Sequence, residues 1–153
     1  MGTAYKGTKE EVTALNSFIK FARAYNSVSA RISRVFAAEK LTESQFGVLE
    51  AIYHLGPMPQ KKLAEKLLKS GGNITMVIDN LAKRGLVFRK KTKEDRRYYW
   101  IYLTREGEKL IEKIFPAHVR LITDRLAILN EQEQLQFAQL CKKLGKYQEE
   151  NKK

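Results

Sequence analysis

The sequence predicts a mainly α-helical fold with one small β-hairpin, built as a single domain. Through most of the chain, apolar residues recur at the three- and four-residue spacing of amphipathic helices. One short stretch, residues 98–103, is instead dense in aromatic and β-branched residues, as is typical of a strand. A length of 153 residues suits one domain with a core of its own, so residues 1–153 are treated as one unit.

Two short helices are predicted in front of the hairpin. The second helix has one apolar stripe, formed by Ile74, Val77, Ile78 and Leu81. Either Ser70 or Gly72 is placed to cap its start, and Gly85 stands where a helix often ends in a left-handed residue. The first helix begins near Pro59. Its stripe consists of Leu63, Ala64, Leu67 and Leu68. We expect Gly71 and Gly72 to form the tight turn between the two helices.

The hairpin is predicted directly after the second helix. Residues 86–88 begin one strand, residues 92–97 are polar and charged as in a loop, and residues 98–103 return. The loop contains Arg96 and Arg97, and arginine is attracted to the negative potential of a narrow DNA minor groove. Asp95 is placed to hold one guanidinium in a fixed rotamer. A solvated turn with a local ion pair is the alternative for the loop alone. Helix, turn, helix and basic hairpin in this order predict a winged helix-turn-helix.

The side of the second helix opposite its apolar stripe is predicted to face DNA. Asparagine pairs bidentately with adenine, and apolar atoms suit the thymine methyl group. We therefore expect base contacts from Asn73, Thr75, Met76 and Asn80. We expect phosphate contacts from Lys62, Lys69, Ser70, Gly72 and Lys83. A net charge of +12 also indicates a polyanionic partner. An ordinary amphipathic surface helix remains the alternative interpretation.

Long apolar helices are predicted on both sides of this lobe, which spans residues 42–103. Capping boxes of Thr8 with Glu11 and of Thr42 with Gln45 start the first two helices. The last two helices start at Thr104 and Asn130, and their apolar residues include a stripe of Phe137, Leu140, Cys141, Leu144 and Tyr147. Residues 8–39 and 104–148 carry more apolar surface than a small lobe covers, so we expect them to form an obligate-type homodimer. Such a dimer would place two recognition helices about 34–36 Å apart on a near-palindromic operator.

The hairpin and its surroundings resemble one family of bacterial regulators. The motif Asp95-Arg96-Arg97 is followed by a strand ending in Leu103-Thr104, and Glu106-Gly107 then opens a helix. This order is similar to that of the MarR (multiple-antibiotic-resistance regulator) family of winged helix-turn-helix transcription factors. The resemblance implies a dimeric repressor of promoters, with Asp95 and Arg97 as the wing pair. It also implies a short strand before the first of the paired helices, and release of DNA by a small phenolic or quinone-like ligand or by oxidation of a cysteine.

The same resemblance implies a ligand pocket between the dimer helices and the winged lobe. The aromatic residues available to line it are Tyr25, Phe36, Phe46, Tyr53 and Phe115. Plain core packing is the alternative for these residues. The family's peroxide-sensing branch carries its cysteine in the first helix, whereas this chain has Cys141 alone, near its end. A redox-responsive regulator and a winged-helix module that binds another protein are the alternative functions. A repressor is the expected role, and an activator is its alternative, because the role depends on where the operator lies.

Several other functions are not supported by any motif. Gly71-Gly72 lacks the following lysine and hydroxyl residue of a phosphate-binding loop. With one cysteine and two histidines, His54 and His118, the chain lacks zinc-ligand spacing, so we expect no metal, no cofactor and no enzymatic activity. No apolar run is long enough to cross a membrane and no secretion signal is recognisable, so the expected location is the cytoplasm, with no membrane partner.

Overall fold

The computed structural model describes residues 2–91 and 98–150, with the side chains of residues 146–150 left aside. Its elements are α1 (Lys9–Ala38), α2 (Glu43–Leu55), β1 (Met58–Pro59), α3 (Gln60–Lys66), α4 (Gly71–Lys83), β2 (Val87–Lys91), β3 (Tyr99–Leu103), α5 (Arg105–Leu126) and α6 (Glu131–Glu150). The strands form one antiparallel sheet in the order β1-β3-β2. The mainly helical fold with a small β wing, including the short strand before α3, is thereby confirmed.

The predicted helix starts are confirmed by their hydrogen bonds. Thr8 and Thr42 form capping boxes with Glu11 and Gln45, in which each side chain bonds the backbone N–H of the other residue. Thr104 caps α5 by accepting from the Gly107 N–H at 3.0 Å. These side chains satisfy N–H groups that the first turn of a helix leaves without partners. The starts of α1, α2 and α5 are thus specified by local sequence.

One continuous core lies in the winged lobe and against the adjoining ends of α1 and α5. The stripe on α4 is buried as predicted, and Leu63 from α3, Ile101 from β3 and Leu49 from α2 pack against it. Phe36 near the end of α1 and Ile111 in α5 close the core from the other side. Gly107 lets α5 approach the chain that follows α4, because a Cβ there would collide with the Leu86 carbonyl. The core therefore fixes α4 from behind and leaves its opposite face outside.

The turn between α3 and α4 differs from its prediction. Gly71 and Gly72 are not in the turn but form the first residues of α4, and Ser70 rather than Gly72 is the cap. The chain turns instead at Leu68, which has a φ of 51° and is 90% exposed, so Leu68 does not belong to the apolar stripe of α3. The physical reason is that α3 already ends at Lys66, and a left-handed residue after a helix end redirects the following side chains.

The two terminal helices leave much of their apolar surface exposed. On α1 the exposed residues are Leu15, Phe18, Phe21 and Tyr25. On α6 they are Leu135, Phe137, Leu140 and Leu144, and none of the described side chains of this helix is buried. Asn130 and Glu133 nevertheless cap α6 as predicted. Helix α5 passes through Pro116 and continues to Leu126. Both ends of the chain therefore carry helices whose apolar surface is only partly covered within this chain.

Candidate functional site

The exposed face of α4 carries most of the residues predicted to read DNA. Asn73, Met76, Asn80 and Lys83 are exposed, while Ile74, Val77, Ile78 and Leu81 are buried on the opposite side. Met76 is 57% exposed although it is apolar. Because the buried stripe fixes the rotation of the helix, these polar side chains point away from the core as a group. The face is neutral to basic except for Asp79 at its edge.

The start of α4 presents backbone rather than side chains. The Ser70 hydroxyl accepts from the Asn73 N–H at 3.3 Å, which caps the helix. A Cβ added to Gly71 or Gly72 would meet no atom within 4 Å, so packing inside this chain does not require glycine at either position. Lys62 on α3 and Lys69 before the cap are both exposed. An exposed helix start that directly follows a lysine suits an anionic oxygen.

A small polar network holds α4 against α3 and the sheet. Gln60 donates to the Thr75 hydroxyl at 2.7 Å, and that hydroxyl donates to the Gly71 carbonyl at 2.8 Å. Arg89 on β2 forms an ion pair with Asp79 at 2.6 Å, and its second nitrogen lies 3.4 Å from the Gln60 side-chain oxygen. Thr75 is half-buried, and its hydroxyl proton is donated to the Gly71 carbonyl. Unlike the exposed residues of α4, Thr75 therefore makes its hydrogen bonds within the protein.

Sequence reasoning did not identify Gln60 or Arg89. Arg89 stands two residues after the buried Val87, so the alternation of a strand places it on the inward side, opposite Ile101. A basic residue on the inward face of a strand is a signal that a buried or half-buried partner exists. Asp79, an acidic residue beside a predicted DNA-binding face, was the other half of that signal. The negative charge of Asp79 is therefore paired with a positive charge within the protein.

The predicted wing tip lies outside the described residues. Asp95, Arg96 and Arg97 belong to residues 92–97, and their roles remain predictions. The base of the hairpin is described: the Lys91 ammonium lies 5.0 Å from the centre of the Tyr99 ring, and Phe88 stacks on Tyr102 at 5.3 Å. Ammonium–aromatic and ring–ring contacts of this kind stiffen paired strands.

A cleft of about 340 Å³ opens where α1, α2 and α5 meet above the turn that precedes α4. Its aromatic lining includes three of the predicted pocket residues, namely Tyr25, Phe36 and Phe46. Phe36 and Phe46 are stacked with their ring centres 4.1 Å apart. Its ionisable lining residues are Glu43, Glu50, Lys69 and His118. The cleft thus combines a flat apolar wall with a few polar groups, which is the usual composition of a small-molecule site.

The other two predicted pocket residues do not line this cleft. Tyr53 is exposed on α2 and its hydroxyl lies 3.4 Å from a Glu112 carboxylate oxygen. Desolvation of the phenol, and then the Glu112 charge, raise the pKa of Tyr53 above its ordinary value. Phe115 packs against His54 with ring centres 4.5 Å apart. Phe115 is partly buried against the core, and its ring centre lies 6.0 Å from that of His118.

His118 lines the cleft although it was not among the residues predicted to do so. Its ring lies 4.6 Å from that of Phe46 and 5.4 Å from that of Phe36. Its Nδ1 atom is buried and has no hydrogen-bond partner among the described residues. Burial lowers the pKa of His118, and the nearby Glu50 carboxylate opposes that shift in part. His118 thus brings an imidazole with a lowered pKa to the wall of the cleft.

The single cysteine has a different setting from these groups. Cys141 is half-buried on α6. It does not line the cleft and does not belong to α4. In the part of the chain that the structure covers, no group of three His, Cys, Asp or Glu side chains is arranged to hold a metal ion. None of the helices over residues 2–91 and 98–150 has the length and apolar character needed to span a bilayer.

Comparison with known proteins identifies relatives over most of the chain. The family model described as "MarR family" matches residues 41–99. The HTH-type transcriptional regulator MhqR of Bacillus subtilis is 33% identical over 132 residues, which cover 86% of this chain and 91% of MhqR. The uncharacterised HTH-type transcriptional regulator YkoM of the same organism is 36% identical over 138 residues, covering 90% of each chain.

Among solved structures, Bordetella bronchiseptica BpsR superposes with a TM-score of 0.74 at 25% identity, covering 84% of this chain and 98% of BpsR. That structure concerns the regulation of BpsR DNA binding by 6-hydroxynicotinic acid. The family-model match over residues 41–99 includes both helices of the pair described above. The agreement in fold and in sequence extends well beyond the winged lobe.

Proposed function

Because this chain belongs to the MarR family of transcriptional regulators, we propose that it is a homodimeric repressor in the bacterial cytoplasm. It binds a near-palindromic promoter operator and leaves it when a small phenolic or quinone-like molecule binds. The observation that carries this proposal is the exposed polar face of α4, held outward by a buried stripe on the same helix. We call α4 the recognition helix from here on.

The recognition helix lies in the major groove in this proposal. Asn73 and Asn80 offer amides that pair with adenine, and Met76 offers apolar contact to a thymine methyl group. Thr75 contributes mainly by holding the helix through Gln60 and Gly71. The phosphate contacts come from Lys62, Lys69, Ser70, Gly72 and Lys83. The absence of side chains at Gly71 and Gly72 is explained by a close approach of the DNA backbone, since nothing in this chain fills that space.

The wing contacts the flanking minor groove. Arg96 and Arg97 are the inserted cations, and Asp95 orients one of them. Arg89 on β2 pairs with Asp79 on the recognition helix, so the described part of the hairpin lies beside that helix. The Asp79–Arg89 ion pair keeps that carboxylate from repelling phosphate, which favours the same arrangement.

Dimerisation accounts for the exposed apolar surface at both chain ends. Phe18 on α1 is 65% exposed and Leu144 on α6 is 65% exposed, among several similar residues on the two helices. Exposed apolar surface of this extent marks an interface in soluble proteins. A two-fold dimer through α1, α5 and α6 repeats the recognition helix about one helical turn of DNA away.

The cleft is the effector site in this proposal. Two carboxylates, Glu43 and Glu50, line it against one lysine, so a neutral ligand is favoured over an aromatic carboxylate. His118 lines the cleft, and its imidazole is the proposed hydrogen-bond partner of a phenolic hydroxyl or a quinone oxygen. Lys69 lines the cleft and directly precedes Ser70, the cap of the recognition helix. A ligand releases DNA only if it prefers the arrangement that does not fit the operator.

The DNA-binding proposal is tested with genomic fragments recovered by the purified protein. Asn80→Ala is expected to weaken binding to the recovered operator by about 5- to 100-fold, and to leave binding to random DNA unchanged. Asn26→Ala, the same change at an exposed position of α1, serves as the control. Fluorescence anisotropy measures both affinities. Equal losses on operator and random DNA would remove the recognition helix from sequence reading.

The effector proposal has a separate test. Hydroquinones and neutral phenols are titrated into the protein–operator complex beside benzoate of similar size. Release by the neutral compounds at lower concentration than by benzoate is the expected result. Glu50→Gln removes one charge from the cleft, and it should raise the affinity for benzoate measured by calorimetry. Stronger binding of benzoate than of phenols to the original protein would contradict the assignment.

A further inference from the structure

The end of α1 is tied directly to the end of the recognition helix. At the C-terminus of α1 the chain turns through Lys40, whose φ is 54°. Two backbone bonds close this turn, from the Lys40 N–H to the Ala37 carbonyl and from the Leu41 N–H to the Phe36 carbonyl, each at 2.9 Å. This is the left-handed helix end in which the following carbonyls point outward and need donors from elsewhere.

Arg84 supplies those donors. It follows the last residue of the recognition helix and caps that helix with its own backbone N–H. Its Nη1 donates to the Lys40 carbonyl at 2.8 Å and its Nη2 donates to the Glu39 carbonyl at 3.0 Å. The planar guanidinium matches two neighbouring oxygens at once, and its positive charge is favourable at the negative end of a helix. One side chain therefore joins two helix ends that are more than forty residues apart in sequence.

The same corner is also tied to α5. The Glu39 carboxylate accepts from the Lys113 ammonium at 2.6 Å, so Glu39 is held by its carbonyl from one side and by its carboxylate from the other. Phe36, one turn earlier on α1, lines the cleft. The contacts therefore run from the cleft wall through the last turn of α1 to the end of the recognition helix.

We propose that Arg84 is a positioning residue that sets the angle between the recognition helix and α1. Through the dimer, this angle sets the distance between the two recognition helices, and it is the element on which a ligand in the cleft acts. The inference rests on the proposed dimeric DNA-binding function. A different role for the same residue is a plain phosphate contact, since an arginine beside a DNA-binding helix is often used in that way.

The positioning role and the phosphate-contact role predict different operator affinities, and different salt dependences of that affinity, when Arg84 is substituted. A phosphate contact needs only positive charge, so Arg84→Lys would keep most of the affinity, and Arg84→Ala would lower the log–log salt slope by about 0.9. A positioning role needs the two-pronged guanidinium, which lysine cannot reproduce. In that case both variants lose operator affinity, while the salt slope stays within experimental error of the original.

The experiment compares Arg84→Ala, Arg84→Lys and a control, Arg34→Ala. Arg34 is an exposed arginine on α1 that makes neither of the Arg84 contacts. Operator affinity and salt slope are measured by anisotropy, and thermal melting verifies that each variant folds. We expect about ten-fold weaker binding for both Arg84 variants with unchanged slope, and no change for Arg34→Ala. Rescue by lysine, or a slope lowered by about 0.9, would overturn the inference.

A second measurement needs no DNA. Spin labels at Met76→Cys in a Cys141→Ser background report the distance between the two recognition helices of a dimer by pulsed electron resonance. Arg84→Ala and Arg84→Lys should broaden or shift this distance distribution, and Arg34→Ala should leave it unchanged. An unchanged distribution in the Arg84 variants would overturn the inference. If the original protein bound no DNA, the proposed function would fail, and the distance measurement would still decide the role of Arg84.

Discussion

The recognition helix α4 and the last helix α6 both carry apolar stripes at helical spacing, but only one of them is buried. Ile74, Ile78 and Leu81 on α4 are almost completely inaccessible to solvent, whereas Leu140 and Leu144 on α6 are exposed. Periodicity therefore identifies a helix and its apolar side, and it does not identify what that side packs against. In α4 the partner is the lobe's own core; in α6 the proposed partner is a second chain.

This difference separates a lobe with a complete core from terminal helices that need further contacts. The lobe carries the proposed DNA-reading surface on a rigid base, as precise recognition requires. The terminal helices carry the apolar surface that, in the proposed dimer, would fix the position of one lobe relative to the other. Substitutions in the two regions should therefore act on different quantities, intrachain stability in one and association in the other.

The largest effect is expected from a cavity in the lobe core. Ile78→Ala removes buried apolar volume from the recognition helix and should lower the free energy of unfolding by about 3–4 kcal/mol. The matched control is Ile128→Ala, because Ile128 is 77% exposed and should change stability by less than about 0.5 kcal/mol. Urea denaturation followed by circular dichroism measures both. Similar losses at the two positions would contradict the contrast in packing.

A charge on the exposed stripe of α6 is expected to act on association. Leu140→Glu places a carboxylate in the proposed interface twice per dimer, and should raise the dimer dissociation constant about 100-fold or more. Gln139→Glu makes the same charge change beside the stripe and should alter association far less. Analytical ultracentrifugation at low micromolar concentration gives both constants. Intact dimers of Leu140→Glu would show that α6 lies outside the interface.

Two helix ends provide a smaller test, one in each region. Lys40 at the end of α1 and Leu68 after α3 both have left-handed backbones, with φ of 54° and 51°. Replacing either by glycine removes a steric penalty of about 1 kcal/mol, so each variant should melt a few degrees higher. Lys62→Gly, at an exposed position inside α3, should instead destabilise the protein. Lower melting temperatures at both left-handed positions would contradict the described backbone.

The smallest expected effect is a pH dependence at the boundary between the regions. Burial lowers the pKa of His118, so the unfolded chain binds a proton more readily than the folded one. The stability from the neutral ring is complete above the ordinary histidine pKa of about 6.5 and declines as the pH falls through that value. His118→Gln should reduce the difference in melting temperature between pH 7.5 and pH 5.5. An unchanged difference would assign the pH dependence to other groups.

Local signals predicted most of the fold. The caps at Thr8, Thr42 and Thr104 and the buried stripe of α4 follow from hydrogen-bonding chemistry and helical period, and each is confirmed. The turn between α3 and α4 was harder to predict from the sequence. Ser70, Gly71 and Gly72 are compatible both with a tight turn and with the capped start of a helix. The structure places the left-handed residue at Leu68, a residue type that rarely adopts that conformation.

Some residues of the candidate site could likewise be predicted from local sequence, and others could not. The exposed face of α4 could be predicted from one helix alone, since it is the complement of a buried stripe. Gln60, Arg84 and Arg89 were missed because their partners lie on other elements of the fold. Tyr53 and Phe115 were grouped with the cleft by aromatic character, whereas His118 lines it. Contacts between distant segments depend on how helices cross, which spacing along one helix does not encode.

The central claim is that two copies of this chain read DNA with paired recognition helices. Repeated selection from a random DNA pool, followed by sequencing, tests it most directly. The account predicts enriched sequences with two inverted half-sites whose centres lie about 10–10.5 base pairs apart, bound by one dimer. Enrichment of a single asymmetric site bound by a monomer, or of no sequence at all, would contradict it.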